Sequence, residues 1–130
     1  MSIRLILDTS ALLAYLAADT RSLDVGELLA SVEENGDLTG IPVACLIVAY
    51  RKVSAQQQAK LLELAEGQDG PTVVLPILAV DAAQVAEKAL RLDLDRAQAA
   101  AETHKHDATL ATYEPAEYSA SLDKDDILDL

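Results

Sequence analysis

Apolar and polar positions fall in blocks along this chain, and the first block is the sharpest. Ile3-Arg4-Leu5-Ile6-Leu7 stops abruptly on Asp8-Thr9-Ser10, and a second apolar segment begins at Ala11. Short runs rich in leucine and β-branched residues, bounded by polar ones, read as buried strands. Leu12, Leu13, Tyr15 and Leu16 then recur at helical spacing. A buried strand followed at once by a helix opens an α/β unit, and such folds carry ligands at the carboxyl ends of their strands. Asp8 falls at such an end.

The punctuation beyond it is regular. Asp24-Val25-Gly26-Glu27 reads as a helix start whose Leu28, Leu29, Val32 face runs to a stop at Asn35-Gly36. A turn-bounded stretch, Leu38-Thr39-Gly40-Ile41, follows. Pro42 suits the first turn of a helix from Val43 to about Val53, and Ser54 with Gln57 forms a capping box for a helix ending at Gly67. Thr72-Val73-Val74-Leu75 is a clear strand, extended by Pro76 toward Val80. Asp81 with Gln84, and Asp95 with Gln98, open two further helices by N-cap logic. Ala108 to Thr112 is a strand, and Ile127-Leu128 forms a last edge strand after the acidic turn from Asp123 to Asp126. The order β-α-α-β-α-α-β-α-α-β predicts one α/β domain over residues 1–130, a mostly parallel sheet of four or five strands flanked by helices.

Composition narrows this picture. Hydrophobic residues make up 51% of the chain, yet no apolar run approaches the roughly 18 to 20 residues of a membrane span, and the N-terminus lacks the basic flank and cleavage site of a secretory signal. The expectation is a soluble, cytoplasmic protein without membrane partners. The lone Cys45 makes no internal disulfide, which agrees with a reducing compartment. With no Phe or Trp and four Tyr, core volume comes from Ala, Leu and Val. A net charge of −12 repels polyanions at long range, so any RNA contact has to rest on a metal ion, a local basic patch or a second subunit.

Three carboxylates stand at element ends. Glu114 in Thr112-Tyr113-Glu114-Pro115 lies just past a strand, as Asp8 does, and Asp95 sits at a helix start. Like charges about 4 Å apart repel by roughly 4 kcal/mol at an effective dielectric of about 20, so a cluster of such acids persists only with a cation or with raised pKa values. All-oxygen ligands select a hard ion, Mg²⁺ or Mn²⁺.

At these residues the chain resembles the PIN domain family, typified by the VapC toxins of bacterial toxin–antitoxin pairs. The resemblance runs over nearly the whole length. It rests on Leu5-Ile6-Leu7-Asp8-Thr9-Ser10-Ala11-Leu12, on Ile41-Pro42 before the third helix, on Asp95 ahead of an alanine-rich helix, and on Ala108-Thr109-Leu110-Ala111-Thr112-Tyr113-Glu114-Pro115. It implies a PIN-like three-layer sandwich and metal-dependent RNA cleavage. Asp8, Asp95 and Glu114 are then the metal-site acids for Mg²⁺ or Mn²⁺, and Ser10 (or Thr9) is a hydroxyl that orients the first acid or a metal-bound water. An antitoxin-like protein, an RNA substrate and a homodimer are the implied partners. One position departs from the pattern. The family carries a glutamate on the helix after the Ile-Pro pair, and here Val48 takes that place, with no Asp or Glu anywhere from Ile41 to Gln58. Arg51 and Lys52 lie three and four positions on, roughly on the face of Val48. The implied nuclease site is thus weakened by one acid.

Each residue also has a plain reading. Asp8 caps the first helix, Asp95 is an N-cap with Gln98, Glu114 is an exposed turn acid, and Thr9 and Ser10 satisfy helix amides. His104 and His106 do not share a helical face and suit a helix C-terminus better than a zinc pair. Cys45 is a small core residue, and Tyr50, Tyr113 and Tyr118 pack in the core or at its rim. Three functions therefore compete: a metal-dependent ribonuclease, a catalytically silent PIN-fold module that binds an antitoxin-like protein or an RNA, and an aspartyl phosphotransferase with Asp8 as nucleophile. Against the last, Ser10 stands where a haloacid-dehalogenase-like sequence offers a second Asp.

Overall fold

The sheet is five-stranded and wholly parallel. The computed structural model describes residues 2–67 and 70–130. The strands are β1 (Ile3–Leu7), β2 (Leu38–Pro42), β3 (Thr72–Leu75), β4 (Thr109–Thr112) and β5 (Ile127–Asp129), in the spatial order β3-β2-β1-β4-β5. Helix pairs α1 (Thr9–Leu16) with α2 (Thr20–Glu34), α3 (Val43–Arg51) with α4 (Ala55–Glu66), and α5 (Ala82–Lys88) with α6 (Leu94–His106) make the crossovers that parallel strands require. Leu5, Ile6 and Leu7 of β1, Ile41 of β2 and Leu110 and Ala111 of β4 are buried. That double-sided burial explains why these strands read as continuous apolar runs rather than alternating ones. Among the described residues, no helix is long and apolar enough to cross a membrane.

Several boundaries move from the sequence reading, each for a local reason. α2 begins at Thr20, because Asp19 accepts the Arg21 N–H and caps it; Asp24 and Gly26 lie inside the helix. β3 stops at Leu75, and the stretch to Val80 leads instead into a 3₁₀ turn, Ala79–Asp81. The Ser54–Gln57 capping box forms as predicted. The start of α6 does not: Asp93 is the cap residue, Asp95 lies within the first turn, and Gln98 faces the core. There its Oε1 accepts the Ala44 N–H at 2.8 Å and its Nε2 donates to the Leu75 carbonyl at 2.8 Å. Pro42 ends β2 and offers no side-chain cap to α3, so Gln98 supplies the acceptor that a free helix N-terminus needs. One side chain on α6 thereby fixes the start of α3 against the end of β3.

Gln98→Leu keeps the volume and removes both hydrogen bonds, stranding a buried N–H and a buried carbonyl. Each orphan costs about 1–3 kcal/mol, so with two of them urea denaturation is expected to show a loss of about 2–6 kcal/mol. A variant as stable as the parent would mean that water reaches both groups.

Candidate functional site

From β1 the chain builds one way through β2 and β3, then the other way through β4 and β5. The reversal lies between β1 and β4, where the segments leaving the two strands part and open a crevice. Leu7 pairs with Ala111 across this junction, so the residues that follow, Asp8 and Thr112, meet on the crevice floor.

Asp8 is 1% exposed and caps α1, its Oδ1 accepting the Ala11 N–H at 3.0 Å. The same oxygen accepts the Ser10 hydroxyl at 2.6 Å. Oδ2 accepts the Thr112 hydroxyl at 2.6 Å and the Tyr118 phenol at 2.8 Å. A carboxylate has about four lone-pair positions, and protein donors occupy all of them. Burial, reinforced by the neighbouring Asp8 charge, pushes the Tyr118 phenol far above the usual tyrosine range, which keeps its proton available for donation. Ser10 and Thr112 relay the network outward, accepting the Tyr113 and Glu114 N–H groups at 2.9 Å each.

Above this floor lies a cleft of about 190 Å³. Thr9 and Ser10 of α1, Val48 of α3, Lys52 just past the end of that helix, Asp95 of α6 and Glu114 after β4 form its walls. Val48 thus faces the acids, as the position of the missing glutamate predicts, and of the two nearby cations Lys52 lines the cleft whereas Arg51 lies outside it. Asp95 accepts the Thr9 hydroxyl at 2.6 Å. Glu114 is engaged by Arg96, whose Nη2 donates to it at 3.0 Å while Nη1 donates to Asp93 at 3.0 Å. Burial pulls the Arg96 guanidinium down, and the hydrogen bond and charge of Glu114 more than offset it. Behind the start of α6, Cys45 is fully buried with its thiol held well above the ordinary range by that burial, and it donates to the Asp95 carbonyl at 3.3 Å. It is an inert packing residue. His106 lies 3.0 Å from buried Glu102 one helical turn back, away from His104 as a partner.

The predicted acids therefore gather at one sheet edge, but not as one ligand set. Asp95 and Glu114 share the cleft; Asp8 lies beneath it with its oxygens turned to hydroxyls and an amide. Among the described residues, no three His, Cys, Asp or Glu side chains converge as a cation site requires. Asp8 has no open lone pair, Glu114 already holds a cation, and Val48 contributes no oxygen. As placed, this donor set does not fit a resident Mg²⁺ or Mn²⁺. Sequence reasoning missed three participants: Tyr118, Thr112 and Arg96. Only Arg96 carries a local signal, its i,i+3 spacing from Asp93.

No family model matches the chain, and no curated protein sequence matches it significantly. Solved structures do. VapC20 of Mycobacterium tuberculosis, a sarcin–ricin-loop-cleaving toxin, superposes with a TM-score of 0.70 at 16% identity, over 92% of this chain and 97% of that one. FitAcB from Neisseria gonorrhoeae gives 0.57 at 21% identity, over 90% of this chain and 92% of that one. At these identities the likeness establishes the fold, the PIN-like sandwich that the sequence predicts.

Tyr118→Phe takes one donor from a buried carboxylate and is expected to destabilise the protein by about 1–3 kcal/mol. Asp8→Asn keeps the shape but loses charge-assisted bonds to three hydroxyls, with a cost of similar size. Chemical denaturation of both variants is the check. An Asp8→Asn protein more stable than the parent would show that repulsion among the acids outweighs hydrogen bonding here.

Proposed function

We propose that this chain, sharing the fold of VapC20 and FitAcB, is a PIN-fold protein of the VapC type that holds a protein partner of the antitoxin kind without carrying out metal-dependent RNA cleavage. The observation that carries this reading is the occupancy of Asp8: the acid that the resemblance makes the central metal ligand spends its full acceptor capacity on Ser10, Ala11, Thr112 and Tyr118. Val48 in place of a glutamate supports it. Charge favours a protein partner over RNA, since a chain of −12 repels a polyanion. Ile47 and Tyr50, exposed on α3 next to the cleft-lining Val48, offer apolar area to such a partner. A second copy of the chain is the other partner in this reading, with exposed Leu78, Val80, Leu90 and Leu94 around α5 as its surface. The free Cys45 fits a reducing, cytoplasmic setting.

A metal-dependent ribonuclease is the second reading. One observation favours it: Ser10, Asp95 and Glu114 line a single cleft, with Asp8 one hydrogen bond beneath Ser10. It requires Asp8 to surrender a hydroxyl and Glu114 to offer the oxygen that Arg96 does not hold. The phosphotransferase reading has no such support, because a carboxylate 1% exposed with four donors on it has no free lone pair for attack.

The test pairs two measurements on the purified protein. Incubation with single-stranded and structured RNA in Mg²⁺, Mn²⁺ or chelator is expected to give the same RNA in all three. Melting curves are expected to coincide with and without the ions. Cleavage that needs the ion and disappears in Asp8→Asn would establish the second reading instead.

A further inference from the structure

Two cations line the cleft, Lys52 and Arg96, and of these Arg96 is the one paired with its acids. Arg96 projects from the first turn of α6 with its side chain 22% exposed, and its two terminal nitrogens each take a different carboxylate: Asp93, the cap residue of α6, and Glu114, just past β4. Asp95 lines the same cleft from the residue before it. Asp93 and Glu114 are exposed at the mouth of this crevice, their side chains 78% and 43% accessible, so water screens much of the repulsion among the three acids and the guanidinium set between two of them relieves the rest. Nothing else among the described residues bridges α6 to the end of β4 in this way, and a guanidinium, planar and permanently charged, suits two carboxylates at once.

We propose that Arg96 is the built-in cation of this cleft, bridging Asp93 and Glu114 and holding the acids of α6 and β4 together as a divalent ion would, so that the native chain takes up no such ion. Two consequences separate this from a merely damaged metal site. While Arg96 holds Asp93 and Glu114 the three acids do not converge on one point, and removing the guanidinium frees those two side chains to turn with Asp95 onto an external cation. Restoring the missing acid at position 48 does not recruit one, because a carboxylate there shares the cleft with Arg96 and has Lys52 one helical turn on, so positive charge already faces it. A repair by Val48→Glu alone is the expectation for a simple lost-ligand site, and Arg96 reverses it.

The inference shares one premise with the silent-module reading, that the parent binds no divalent ion, and the experiment keeps the two apart. Thermal melting is followed in chelator and in millimolar Mn²⁺, with Mn²⁺ binding read independently by electron paramagnetic resonance, for the parent, Arg96→Met, Arg96→Lys and Val48→Glu. Arg96→Met keeps the side-chain stem and loses the charge. It is expected to melt lower than the parent in chelator, to regain at least about 3 °C in Mn²⁺, and to bind the ion. Arg96→Lys, which retains the charge, and Val48→Glu are expected to bind none. Mn²⁺ binding by the parent overturns both readings. A parent without binding, joined to a folded Arg96→Met that gains neither stability nor bound ion, overturns the role of Arg96 alone. Should Arg96→Met fail to fold, Val48→Glu decides: Mn²⁺ binding by that variant means Arg96 does not stand in for the ion.

Discussion

A buried carboxylate is the constraint around which this molecule is organised. Leaving Asp8 ionised and unpaired in the interior would cost more than a small domain can offset. The chain meets that demand from three places: the first turn of α1, the end of β4 and the 3₁₀ turn Pro115–Tyr118. Each donor requires a different part of the fold to be in register. Ala11 donates only if α1 starts at Thr9; Thr112 donates only if Leu7 lies against Ala111; Tyr118 donates only if the chain folds back under the sheet edge after Pro115. One acid thus specifies where the central strands meet and how the segment beyond β4 returns.

The same arrangement separates fold from chemistry. A parallel sheet with reversed strand order makes a crevice whatever side chains line it. In this chain the crevice keeps an acid on each of the expected elements, β1, α6 and the end of β4. Their partners, however, are internal: hydroxyls for Asp8 and Asp95, a guanidinium for Glu114. Through these bonds the acids fasten together the elements that carry them.

Much of the architecture was legible in the sequence because it depends on local rules. Apolar runs of four or five residues marked the strands, and Ser54 with Gln57 marked a helix start correctly. Misreadings came where two local signals competed, as at Asp19 and Asp24, or where a polar side chain was used over long range. Gln98 has the spacing of a capping residue from Asp95 and instead reaches α3 and β3. The position of Val48 at the cleft wall was readable from the order of motifs. Occupancy of the site was not: Tyr118 lies 110 residues from Asp8, and nothing near a tyrosine in a short turn announces which acid it will meet.

That separation carries a consequence for how the protein comes into being. β1 is the middle strand of the sheet, yet its closing acid waits for donors 104 and 110 positions later. On a ribosome adding about 5–20 residues per second, the first strand emerges seconds before Thr112 and Tyr118 exist. In that interval Asp8 has only Ser10 and the α1 amide to face. Until β4 is made, the edge of β1 that will face it has no partner, and an unpaired edge invites pairing with another strand. The hydrogen bonds that complete the shell of Asp8 are thus long-range ones, joining the chain's beginning to its last strands.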